Sequence, residues 1–217
     1  MNKTDNLNSP GMPYKDEAAN RIYEMLFCDN EDLYRPDKKF LTGYPWSVIY
    51  SNEYKPEELK KITIDDKNES RLKLLAYNKL RSNGNKVLEK ELLGVIIEVG
   101  LDSGLDVLAA YRDGTARYIN YSEKMIFWES PSADSNNITD KLFKESEITL
   151  RQIGPWDKER PGFPAKGTIR ISFLVSDGLY FGQGSDDNFF NDELSAPILK
   201  YGNKLMNFLI DKSLSKR

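Results

Sequence analysis

The sequence predicts an α+β fold: a single antiparallel sheet of five to six strands, a meander plus a hairpin, with helices packed on one face and a helical N-terminal region. Two groups of Val/Ile-rich runs, at 92–129 and 168–182, are each broken by short turn signals. Asp113-Gly114 is the strongest of these signals, because both positions accept positive φ. Helical spacing of apolar residues occurs before, between and after these groups, which places helices against one sheet.

Residues 1–13 are rich in Asn, Ser, Pro and Gly and are expected to form a disordered lead-in to one α+β domain over 14–217. The first helix is expected from Asp16 to Phe27, with Ala19, Ile22, Tyr23, Leu26 and Phe27 forming one stripe. Trp46, Val48, Ile49 and Tyr50 read as a short strand or as an anchor for the loop-rich stretch that precedes them. Pro56-Glu57-Glu58 suits a helix start, where proline loses no hydrogen bond and carboxylates meet the positive end of the dipole. A stronger helix covers Glu69 to Ser82 and stops at Asn83-Gly84-Asn85. Residues 14–85 thus read as a mainly helical cap on a sheet-helix core over 86–217.

In that core, Leu92–Val99 and Leu105–Arg112 flank a turn at Gly100–Gly104, and Thr115–Tyr121 follows Asp113-Gly114. Residues 115–129 form either two strands, with a turn at Ser122-Glu123-Lys124, or one bulged strand. A helix is expected over Ile138–Ile153, ended by Gly154-Pro155. A proline-rich loop then runs to Gly167, before a hairpin of Thr168–Ser176 and Leu179–Gly182 around Asp177-Gly178. After a polar stretch to Glu193, Ser195 is expected to cap a last helix running to about Lys212.

Composition excludes several chemistries. The chain has no histidine and one cysteine, Cys28. It therefore has no Ser-His-Asp or Cys-His unit, no imidazole ligand, no internal disulfide and no cysteine-rich zinc site. Thirty-one basic residues against 34 acidic ones give a net charge of −3, which argues against nucleic-acid binding. The apolar runs are far shorter than a membrane span, and no targeting segment is apparent, so a cytoplasmic protein with no membrane partner is expected. No catalytic residue, metal ligand or cofactor is assigned.

Two groups of residues are candidates for binding. The first is the loop carrying Trp156, Arg160 and Phe163, since long loops are often functional, and Trp and Arg commonly anchor interfaces. The second is a sheet face bearing Glu98 with Arg112, Arg117 or Arg170. Taking Asp113-Gly114 as a two-residue turn pairs Ala110 with Arg117 and sets Arg112 and Arg117 on the same face. That face could grip an anion, or carry ordinary ion pairs on its wet side. The leading expectation is a non-catalytic interaction or regulatory domain with an unknown protein partner. A homodimer could form through a sheet edge. A small-molecule or anion-binding domain using the arginines is the alternative, and a concave pocket lined by two of them would mark it. A hydrolase working through carboxylates or a divalent metal is the third reading.

Overall fold

The computed structural model describes residues 11–37, 39 and 41–215; of the expected lead-in at 1–13, residues 1–10 lie outside them, and Pro13 is buried. The α+β class is as expected. One six-stranded antiparallel sheet has the order β4-β3-β2-β1-β5-β6, formed by Leu92–Leu101 (β1), Gly104–Tyr111 (β2), Ala116–Ile119 (β3), Met125–Trp128 (β4), Thr168–Val175 (β5) and Gly178–Ser185 (β6). Residues 115–129 therefore hold two strands, turned at Glu123, whose φ is 68°.

Two helical layers enclose the sheet. On one face lie Glu17–Met25 (α1), Trp46–Ile49 (α2), Pro56–Ile64 (α3) and Ser70–Ser82 (α4), packed on Leu93, Ile96, Val107, Ala109 and Tyr111. On the other, Ala133–Leu150 (α5) and Ser195–Leu214 (α7) cover Val95, Ile97, Leu108, Ile171 and Phe173, with the short Asp186–Asn191 (α6) beside them. A bulge between Leu92 and Gly94 moves both neighbours onto the faces they occupy. The wet sheet face considered from the sequence is thus buried beneath the N-terminal helices.

Local chemistry explains several boundaries that periodicity placed elsewhere. Ser132 and Ser135 form a reciprocal capping box, so α5 begins five residues before Ile138. Asp192, not Ser195, caps α7: its Oδ2 accepts from the backbone N–H of Ser195 at 2.8 Å and of Leu194 at 3.0 Å. The Ser195 backbone bond holds the Asp192 carboxyl below its usual range. The stretch around Trp46 is a helical turn rather than a strand. The polar segment after Gly182 continues β6 and then forms α6.

One turn decides where two arginines point. Tyr111 pairs across to Thr115, and the register runs Ala110↔Ala116 and Ala109↔Arg117. The loop is therefore Arg112-Asp113-Gly114, three residues rather than two, with Gly114 at φ 83°. The Asp113 carboxylate holds it, accepting from the backbone N–H and hydroxyl of Thr115 at 2.9 and 2.7 Å and from the backbone N–H of Ser70 at 2.6 Å. A shift of one residue inverts every following side chain. Arg117 faces the N-terminal layer, while Arg112 turns to α5, where it pairs with Glu147 and lies 4.2 Å from the Phe143 ring centre. Arg112 and Arg117 therefore do not share a face, whereas Arg117 lies on the same side of the sheet as Glu98 and Arg170.

Candidate functional site

The loop between Gly154 and Gly167 bridges to the β6 edge and passes over Arg170 on β5, on the face that carries the N-terminal helices. At the edge, Trp156 donates its backbone N–H to Leu179 at 2.7 Å and sets its ring edge-on to Phe181, 5.0 Å between centres. The indole N–H then turns back to the Glu159 carbonyl at 2.9 Å. Further along, Arg160 reaches α1: it pairs with Glu24 and with Asp29, the latter at 2.7 Å, and lies 3.9 Å from the Phe27 ring centre. Phe163 packs half-buried against the N-terminal core, and Pro164 is buried. At its far end Ala165 crosses β1 so closely that a Cβ on Gly100 would sit 2.0 Å from the Ala165 carbonyl oxygen.

Beneath this strap is the ionic centre of the molecule. Glu98 on β1 stands directly across from Arg170 on β5, and both are buried. Glu98 Oε1 accepts from the Tyr23 hydroxyl at 2.6 Å; Oε2 has no hydrogen-bond donor among the described residues and lies 3.7 Å from Arg170 Nη1. Arg170 spends its other donors on the strap and β6. It reaches the Pro161 carbonyl at 3.1 Å, the Gly162 carbonyl at 2.6 Å and Gln183 at 2.8 Å. Of the sequence-selected sheet residues, Glu98 and Arg170 therefore come together, but as a structural pair closed to solvent.

Burial pushes the Glu98 carboxyl above its usual range, against the pull of Arg170 and the Tyr23 hydrogen bond. Between the unfolded and folded pKa values, the folded chain binds more protons at Glu98. The group therefore makes stability fall as pH rises through that window, which opens at the ordinary carboxylate value. Glu98→Gln is expected to flatten this slope. Urea unfolding curves for both proteins, taken from about pH 4 upward, check it; parallel pH profiles would contradict it.

Strap, α1, α4 and the β5–β6 turn together wall a cleft of about 850 Å³. Trp156, at 37% exposure, stands on its rim with Lys158 and Glu159, while Arg160 lines its inner wall. Arg81 of α4 donates to the Ser176 carbonyl at 2.5 Å. Asp177 accepts from the Tyr180 hydroxyl at 2.8 Å through Oδ2, and its buried Oδ1 has no donor among the described residues.

Arg81, Asp177 and Tyr23 were not selected from the sequence. Tyr23 carried a usable signal, since a phenol at the centre of an apolar helical stripe needs a buried polar partner. The contact of Arg81 with Ser176 depends on tertiary placement, whereas that of Asp177 with Tyr180 is local to the β5–β6 hairpin. Cys28 is fully buried, with its thiol pushed up to about 12 by burial, so it is a poor nucleophile. Among the described residues, no group of three or more Cys, Asp or Glu could hold a metal ion, and no helix is long and apolar enough to cross a membrane.

Compared with known proteins, the chain matches no family model, and no curated protein or solved structure resembles it significantly.

Proposed function

We propose that the chain is a non-catalytic protein-interaction domain whose partner surface is the cleft beside the Trp156–Arg160 segment. One observation carries this reading: the segment is fixed in place before any partner arrives, yet it holds a tryptophan at the rim. Arg160 fastens it to α1 and Arg170 fastens the two residues that follow, so little ordering entropy is left to lose on binding. Aromatic and arginine side chains at the edge of a preformed concavity are the usual anchors of an interface. The mixed charges of Lys158, Glu159, Arg81 and Asp177 suit a polar protein segment. A cytoplasmic setting accords with the lone buried cysteine.

Site-directed photo-crosslinking in the cells that express the chain tests this. A photoreactive amino acid placed at Lys158 is expected to yield discrete protein adducts, lost on Trp156→Ala. The same group at Lys144, exposed on α5 in the opposite layer, is expected to yield none of them. No adduct at Lys158, or the same adducts from both positions, would overturn the reading.

A further inference from the structure

A second, smaller cavity lies away from the cleft, between α1, α4 and the strands β2–β4. Its volume is about 200 Å³, and two guanidiniums line it, Arg71 from α4 and Arg117 from β3. Met25, Leu26 and Phe127 supply apolar wall. The cations are the more deeply buried partners: the Arg71 and Arg117 side chains are 16% and 5% exposed, against 43% for Glu69 and 54% for Glu129, which also lines the cavity. Arg117 pairs with Glu129 and donates to the Ala116 carbonyl at 2.8 Å, with its guanidinium 5.3 Å from the Phe127 ring centre. Arg71 meets Glu69 at 2.7 Å and Glu129 at 3.8 Å, but its Nε–H is buried without an acceptor among the described residues.

An unsatisfied donor on a buried cation is costly, and so is a second cation beside it. Burial, followed by the nearby Arg71, lowers the pKa of Arg117. An oxyanion between the two guanidiniums would offset the repulsion between them. We propose that this cavity binds a small organic oxyanion, a carboxylate or phosphomonoester carried on an apolar group. Arg71 and Arg117 hold the charged end, and Met25, Leu26 and Phe127 hold the rest. Drug-sized ligands need roughly 300 Å³ or more, so the space suits a single ring or short chain and not a nucleotide. Glu129, exposed just beyond the end of β4, is the ligand's competitor for Arg117.

That competition makes the proposal testable in the direction of gain. Benzoate, phenyl phosphate and inorganic phosphate are to be compared by thermal shift and calorimetry against sodium chloride at matched ionic strength. One or both aryl anions are expected to raise Tm above the chloride control and above inorganic phosphate; which one does so distinguishes carboxylate from phosphomonoester. Glu129→Gln, a change at an exposed side chain, is expected to tighten binding about tenfold. Arg71→Gln is expected to weaken it by roughly ten- to a hundredfold, as for loss of a charge-assisted hydrogen bond. The proposal fails if neither aryl anion outperforms chloride, or if Glu129→Gln binds no tighter. It fails in its apolar half if inorganic phosphate stabilises as strongly as the aryl anions.

Discussion

Arg170→Ala is expected to lower the free energy of unfolding by about 3–5 kcal/mol, the range for breaking a buried ion pair from one side. The loss is large because of what stays behind. Glu98 would remain on β1, buried, with Tyr23 donating to one oxygen and only the weaker field of Arg160 opposing its charge. The Pro161 and Gly162 carbonyls and Gln183 would lose their donors at the same time. Replacing both charges, as Glu98→Gln with Arg170→Met, is expected to recover much of the loss, because no uncompensated charge is then enclosed. Urea unfolding at neutral pH measures all three proteins. A single Arg170→Ala variant within about 1 kcal/mol of the parent, the scale of an exposed pair, would mean that the buried pair is not what holds β1, β5 and the strap together.

Gly100→Ala is expected to cost about 2–3 kcal/mol, the upper part of the range for overpacking. The added methyl would meet the Ala165 carbonyl oxygen and carbon at 2.0 and 2.6 Å and the Pro164 carbonyl oxygen at 2.9 Å. All three are backbone atoms, so no side chain can rotate out of the way. The strap itself has to lift, and trypsin should then cut faster after Lys158 and Lys166. Gly154→Ala is the matched control, since a Cβ there meets nothing within 4 Å. Equal melting temperatures and equal cleavage rates for the two variants would show that the strap is not seated on β1 as described.

Much of the architecture was legible because it is written in local chemistry. The β1–β2 and β5–β6 hairpins and the helix over Ser70–Ser82 follow from patterns of a few residues, and their bounds lie within a residue or two of those expected, except that β6 runs three residues past Gly182. The loop after β2 shows where that stops. Asp113-Gly114 has the composition of a two-residue turn, but the Asp113 carboxylate is claimed by Thr115 and by Ser70, 43 residues earlier in the chain. Their combined pull sets a three-residue loop and sends Arg117 to the opposite face from Arg112.

The candidate site was legible only in part, for the same reason. Trp156, Arg160 and Phe163 stood out by composition, and all three lie in the strap. Arg71 did not stand out. It is one of many arginines, and only the placement of α4 against β3 brings it beside Arg117. Glu98 and Arg170 were recognisable as odd residues in apolar strands. Whether they met solvent depended on α1, whose Tyr23 lies 75 residues from Glu98.

Glu98 also has a consequence for the chain during its synthesis. Until β5 emerges, β1 is an outer strand, and its run Leu-Leu-Gly-Val-Ile-Ile-Glu-Val-Gly-Leu carries no other charge. Arg170 follows Glu98 by about seventy residues, which ribosomes take roughly 4–14 s to add. Over that interval the open strand could template pairing with a neighbouring nascent chain. An inward-pointing carboxylate without a counter-ion makes such pairing unfavourable, because stacking two copies would bury two like charges. When β5 arrives, Arg170 opposes that charge and the strand becomes interior. One glutamate thus guards the growing polypeptide against aggregation first and becomes half of an internal ion pair afterwards.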